Sequence, residues 1–297
     1  MPSLEDHQSD SCTKLLLIGD SGMGKTGSLV SLVKAGYKLR IADMDNGLDI
    51  LKNLLRSEPN ASELLQRVNY QTLTDPMRVA GVQIIPSKAE AWSKLVGILQ
   101  NWPEGQGKIS EWGPDTVFVL DTLNFAGKAA VRFVQSLNAR LGQQPNWGEY
   151  YSAQQMLESL CAMLYSDQIK CNVIVLSHVR EVSKKEDRIS PDGRVQKVEI
   201  EGSRRGYAET GAGTALSPNM GRYFNGVLMM DQIGSGPSAR KIIRTVSFEN
   251  IGLKNPSPNL VRPEYPIATG LADYFRAVRG SLPVATKPAV LAGLPAQ

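Results

Sequence analysis

A chain of 297 residues, 42% hydrophobic and 21% charged, can bury a substantial core, and this composition excludes both a disordered polymer and a disulfide scaffold. Its net charge of +4 permits a polyanion partner without requiring one. The three cysteines, Cys12, Cys161 and Cys171, have no metal-like spacing. The start of the chain is polar and acidic where a signal peptide would be basic and then apolar, and no run approaches the about 18 apolar residues of a membrane span, so a reduced cytoplasmic protein with no membrane contact is expected.

Residues 1–13 carry Pro, Ser, Asp and Gln without periodicity and read as a flexible lead. The apolar run from Leu15 to Ile18 is too short for a helix and predicts a buried strand. Behind it Gly19, Asp20, Ser21, Gly22, Met23, Gly24, Lys25 and Thr26 fit G-x-x-x-x-G-K-[ST] at every fixed position. Gly27 then opens into a helix whose Leu29, Val30, Leu32 and Val33 share a face. Such a loop cradles phosphate, because glycines let backbone N–H groups approach oxygens that a Cβ would keep away. Lys25 is placed to reach the β/γ-phosphates of ATP, Thr26 to hold Mg2+, and the helix N-terminus favours the anion. The plain alternative is a glycine turn that binds nothing.

A second strand over 37–45 ends in Asp43 and Asp45, and a helix follows over 47–56. A short helix at 61–68, strand-like pieces at 68–73 and 81–85, and a helix over 87–102 come next; in the last, Ala91, Leu95, Ile98 and Leu99 are spaced for core packing. After a polar connector at 105–113, the run from Thr116 to Leu120 is continuously β-branched and aromatic, which predicts a central strand buried on both faces and ending at Asp121. Helical patterns run over 125–141 and 150–165, and a buried strand over 171–177 ends at His178. Residues 179–218 turn to charge and glycine with no sustained period and read as a functional loop or disorder. The stretches 226–231 and 241–248 read as an antiparallel hairpin at the sheet edge, 268–278 as a last helix, and 280–297 as a disordered Pro- and Ala-rich tail. The alternation predicts one α/β domain over 14–279 with a mainly parallel, doubly wound sheet and an antiparallel edge hairpin.

The chemistry follows from which residues end strands. A phosphate loop needs a carboxylate from an adjacent strand to accept from Thr26 or Mg2+-bound water, and Asp121 fits, unless it only caps the next helix. Hydrolysis also needs a group to orient water. Asp45 is favoured with Asp43 in reserve, both pointing the same way by strand alternation, against the reading that both cap the helix near Gly47. His178 is either a sensor of the γ-phosphate or an ordinary strand-end histidine. Beyond it, Arg180, Lys184, Lys185, Arg188, Arg204 and Arg205, with Tyr207 to stack on a base, suit single-stranded nucleic acid; a solvated mixed-charge loop is the alternative. Trp147, Tyr150 and Tyr151 form a second aromatic cluster that lines the same channel or packs.

In this order of parts, residues 14–255 resemble a RecA-like ATPase core, through the loop at 19–26 and the Asp121 strand. The stretch Met44-Asp45-Asn46-Gly47-Leu48-Asp49 is similar to the recombinase segment whose acidic residue activates water, with Asp where recombinases carry Glu. Val175-Leu176-Ser177-His178-Val179-Arg180 resembles the segment placing a γ-phosphate sensor ahead of a DNA-binding loop, with His178 in place of Gln. Leu253-Lys254-Asn255 resembles a late segment that reaches a neighbouring subunit's nucleotide, which implies a ring or filament of identical subunits and an interface role for Lys254. The Trp147-Gly148 stretch is most similar to phage-encoded ATPases that anneal single-stranded DNA. The resemblance implies a Mg2+-dependent, DNA-stimulated ATPase of recombination, annealing or replication in the host cytoplasm, with Lys25, Asp45, Asp121 and His178 at the reaction. A small-molecule or nucleotide kinase with an Arg-rich lid, and a nucleotide-switched scaffold without turnover, are the competing expectations.

Overall fold

In the computed structural model, which describes residues 12–183, 185–189 and 195–279, strand β1 (Lys14–Ile18) is buried along its whole length. A continuous apolar run demands this when both faces of a sheet are covered. The chain enters two helical pieces, α1 (Lys25–Ser28) and α2 (Val30–Lys34), joined through the helical Leu29, and returns in β2 (Lys38–Asp43). Helices α3 (Asp49–Arg56) and α4 (Ala61–Gln66) lead to β3 (Val68–Thr72). A small hairpin of β4 (Met77–Ala80) and β5 (Gln83–Pro86) precedes α5 (Ala91–Gln100). Then come β6 (Thr116–Asp121), α6 (Leu123–Leu137), α7 (Trp147–Tyr165) and β7 (Asn172–Ser177). Four short strands follow, β8 (Val179–Val182), β9 (Lys185–Ile189), β10 (Val195–Glu199) and β11 (Arg205–Ala208). The chain closes with β12 (Gly226–Ile233), β13 (Arg240–Arg244), β14 (Glu264–Pro266) and α8 (Gly270–Val278).

The main sheet has eight strands in the order β14-β13-β12-β1-β7-β6-β2-β3. From β12 to β3 every pairing is parallel, and β13 and β14 add an antiparallel edge. Alternation sorts the strands between two cores. Leu16 and Ile18 of β1 and Phe118 and Leu120 of β6 join α5, α6 and α7 on one face. Leu15, Leu17, Val117 and Val119 pack with Leu29, Leu32, Leu51 and Phe275 on the other. Truncating any of these buried leucines to Ala is expected to cost about 2–5 kcal/mol. The mainly parallel α/β sheet with its antiparallel edge is the arrangement expected from the sequence.

Five details depart from expectation. The strand of Asp121 is not adjacent to the loop strand, since β7 lies between them and brings His178 beside the loop. Residues 179–218 form neither a plain loop nor a featureless segment: β8 pairs with β11 and β9 with β10 as two antiparallel ribbons. Backbone pairing builds such ribbons, and the buried positions of β11 are only Gly206 and Ala208, too small to leave an apolar alternation in the sequence, so periodicity misses it. The predicted edge hairpin is present, but β14 covers β13 and β12 lies inside the sheet. Cys12 and Thr13 are buried rather than part of a lead, and the Thr13 backbone N–H donates to Asn172 Oδ1 at 2.9 Å. Trp147 opens α7 instead of lying in a connector, because Asn146 and Glu149 form a reciprocal capping box at 2.9 Å in each direction.

Candidate active site

Parallel strands bring their carboxyl ends to one rim, where an open α/β sheet holds ligands. The loop at 19–26 leaves β1, His178 follows β7, Asp121 ends β6 and Asp43 ends β2. Register aligns them: Asp43 pairs with Asp121, and Asp121 with Leu176, which pairs in turn with Leu17. A cleft of about 370 Å3 opens above, lined among others by Gly24, Lys25, Thr26, Asp45, Asp121 and His178.

The loop is built as its glycines predict. Gly24 has φ of 94°, a left-handed conformation that glycine adopts without strain. Gly19 lies so close to β12 that an added Cβ would sit 2.8 Å from Met230 Cβ. Asp20 accepts from the Met23 N–H at 3.3 Å, while Ser21, Gly22 and Gly27 line the cleft. The Lys25 ammonium is drawn inward, donating to the carbonyls of Gly19 at 2.8 Å and Asp20 at 3.0 Å. Burial lowers its pKa, against the attraction of Asp121, Asp20 and Asp45.

Thr26 Oγ1 donates to Asp121 Oδ2 at 2.7 Å, while Asp121 Oδ1 is buried without a hydrogen-bond partner. Burial, then the charge of Asp45, pushes Asp121 up to about 7 against the pull of Thr26. A buried carboxylate that is half unsatisfied and has a hydroxyl at its other oxygen is a hard oxygen set that fits Mg2+. Among the described residues no group of three or more His, Cys, Asp or Glu forms a metal cage. Mg2+ needs none where one carboxylate, waters and phosphates complete its shell. No bond from Asp121 to an α6 N–H competes with this role.

Asp43 and Asp45 separate cleanly. Asp43 is buried and accepts from the Gly47 N–H and from Thr72 Oγ1, each at 3.3 Å, so it fastens the turn to β3. Asp45 is half-exposed in the cleft, and its Oδ1 is buried with no partner. Burial and the adjacent Asp43 raise its pKa, the direction that strengthens a carboxylate as a base.

His178 Nδ1 lies 3.4 Å from the Lys25 ammonium. Burial and that cation lower its pKa, so the ring is neutral at neutral pH and Nδ1, facing an ammonium, is the acceptor. The His178 carbonyl accepts from the Glu209 N–H at 2.8 Å, and Ser177 Oγ donates to the Glu209 carbonyl at 2.9 Å, so the β8–β11 ribbon is rooted at this residue.

The basic residues expected beyond His178 divide. Arg180 sits across from Tyr207 in the β8–β11 ribbon, whose other strand carries Arg205 and is preceded by Arg204. Arg204 pairs with Glu181 at 2.8 Å on the surface, and Arg205 is exposed. Lys185 and Arg188 lie on β9, opposite Glu199 and Gln196. Lys184 lies outside the described residues. Lys254 Nζ donates to the Phe224 carbonyl at 2.7 Å within its own chain, and its backbone pairs with Val227. Trp147, 80% exposed, stacks on the exposed Tyr151 at 5.5 Å between ring centroids, whereas Tyr150 packs toward the core.

Lys241, Ile50 and Thr122 also line the cleft and were not anticipated. Lys241 arrives from β13, two strands from β1, and no local pattern announces that proximity. A separate apolar cavity of about 460 Å3 between α5 and α7, lined by Trp92, Leu99, Met156 and Met163, holds no ionisable group.

Fold and site together place a glycine-rich loop with Lys25 and Thr26 at the carboxyl rim of a mainly parallel sheet, with two carboxylates and a neutral histidine facing it. No family model matches the chain, and no curated protein matches it. Solved structures that it resembles include the RadB recombinase, with 14% identity over 82% of this chain and 90% of that one and a TM-score of 0.41. A KaiC-like protein from the archaeon Pyrococcus horikoshii has 11% identity over 86% and 84%, with a TM-score of 0.40. The flagellar accessory protein FlaH of Methanocaldococcus jannaschii has 8% identity over 87% of each chain, with a TM-score of 0.41.

Proposed function

We propose that the protein binds and hydrolyses ATP with Mg2+ and couples that reaction to single-stranded DNA in recombination, annealing or replication, as the sequence resemblance to phage annealing ATPases suggests. The observation that carries the reading is the convergence on one cleft of Lys25, the Thr26–Asp121 pair, Asp45 and His178 from the ends of four parallel strands. Lys25 exchanges the Gly19 and Asp20 carbonyls for phosphate oxygens, where a cation stabilises charge that develops in phosphoryl transfer. Thr26 and Asp121 hold Mg2+, which neutralises phosphate charge when bound. Asp45 offers an unsatisfied oxygen to the attacking water, and Asp43 fastens the turn that carries it.

His178 touches the phosphate-binding lysine at one atom and the ribbon at another, so a change at Lys25 on nucleotide binding is felt where Arg180, Arg204 and Arg205 stand. The polyphosphate backbone of a single strand suits such a cationic ribbon, and Tyr207 and the Trp147–Tyr151 stack suit its bases. Lys254 is the interface residue in a homo-oligomer of this class. The test is ATP turnover together with single-strand binding at 50 and 200 mM salt. Hydrolysis that is lost in Lys25→Ala, with DNA affinity falling steeply as salt rises, is the expected result; phosphate transfer to a metabolite instead of water would replace the reading by a kinase.

A further inference from the structure

The three cations of β13 have different partners. Arg240 pairs with Glu264 at 3.3 Å and Arg244 with Asp231 at 2.5 Å. Lys241, between them, pairs with no carboxylate among the described residues and instead donates to the Gly22 carbonyl of the phosphate loop at 2.5 Å. Strand alternation explains its reach. Lys241 shares a face with Ile243, which is buried in the core beneath α2 and α8; one step further along, that face has passed the helices and stands over the loop. Its backbone is held by the pairing with Gln232 and by the Ile267 N–H, which donates to the Lys241 carbonyl at 3.3 Å. A Cβ added to Gly24 would sit 2.7 Å from Ile267 Cδ1 and 3.8 Å from Lys241 Cδ, so these two side chains wall the outer side of the loop.

We propose that Lys241 is a second, same-subunit cationic ligand of the nucleotide's phosphates, which releases the Gly22 carbonyl when a di- or triphosphate enters the loop. This rests on the reading of the site as a nucleotide site. An ammonium whose partner is a neutral carbonyl gains from exchange to an ionised phosphate oxygen, since attraction between two opposite charges replaces attraction between a charge and a dipole. With its backbone fixed and no carboxylate to hold it back, the flexible four-carbon stem is free to make that exchange. Occupancy of the loop is thereby linked to the antiparallel edge as well as to the His178 ribbon.

Calorimetric titration with Mg-ADP and Mg-ATP separates the possibilities without depending on turnover. Lys241→Met and Lys241→Gln are each expected to weaken both nucleotides about tenfold and Lys241→Arg to stay within about threefold of wild type, each variant having a wild-type circular dichroism spectrum. A lysine that only pins the loop gives a different pattern: the glutamine variant, which still donates to the Gly22 carbonyl, then binds like wild type. Unchanged or tighter binding in the methionine variant overturns the assignment while leaving the site reading intact. A wild-type protein that binds neither nucleotide overturns the site reading, and this inference with it.

Discussion

The corner at the loop and the ribbons beyond His178 are built in opposite ways. At the corner, β1, β7, β6 and β2 are largely buried strands: Asp121 ends β6, His178 and Asp45 follow within two residues of the ends of β7 and β2, and the loop carrying Lys25 leaves β1 directly, so packing fixes their positions. The β8–β11 and β9–β10 ribbons are two-stranded; β8–β11 touches the core through Ala208 and Val179 and carries the exposed Arg204 and Arg205 on its other side. Two-stranded ribbons are marginal in water without a partner. Substitutions should therefore break the corner abruptly and the ribbons by degrees.

The largest effects belong to the corner. Lys25→Ala and Asp121→Ala are each expected to reduce ATP turnover by about 10²–10³-fold or more, read in a phosphate-release assay. Asp45→Asn removes the base without removing phosphate or metal contacts. It is expected to lower kcat by about 10²-fold or more with nucleotide affinity nearly unchanged, and an equal rise in Kd would show that Asp45 binds rather than activates.

The ribbons should respond more gently. Replacing Arg204 and Arg205 together by Ala is expected to weaken single-strand binding and to flatten its salt dependence by a log-log slope of about 1.4, at about 0.7 per lost phosphate contact on a single strand, with basal turnover unchanged. An unchanged slope would place the DNA elsewhere, with the exposed Trp147–Tyr151 stack the next surface to substitute.

A smaller effect is a cost that the site imposes on stability. Unfolded, Asp121 titrates near its ordinary value of 3.8; folded, it titrates at about 7. Between these values the folded chain keeps a proton that the unfolded chain has lost, so stability falls as pH rises from about 4 to about 7 and stays lower above. In the absence of nucleotide, Asp121→Asn is expected to be more stable than wild type at pH 8, by on the order of 4 kcal/mol, and nearly equal at pH 4 in urea titrations. A wild-type curve that rises over that interval would contradict the assigned direction.

The same contrast marks what could be read before any coordinates. Leu15 to Ile18 and Val117 to Leu120 are continuous apolar runs ending in loop and carboxylate, and burial on both faces leaves that signature plainly in the chain. Strand order does not leave one, so the placement of β7 between β1 and β6, and with it the contact of His178 with Lys25, came only from packing. Lys241 was hidden for the same reason. Asp43 and Asp45 share a direction by alternation, but only the structure shows that Asp43 is tied to Gly47 and Thr72 while Asp45 keeps an unpartnered oxygen in the cleft. The β8–β11 ribbon was invisible because the buried positions of β11 are a glycine and an alanine, Gly206 and Ala208, which leave no apolar period.

The most direct test of a coupled corner and ribbon is steady-state ATP turnover measured against rising concentrations of single-stranded DNA, for wild type and for Arg204→Ala/Arg205→Ala. The account predicts saturable stimulation of the wild type, shifted to higher DNA concentration in the double variant with the DNA-free rate preserved. Turnover that does not change with DNA in the wild type would contradict it.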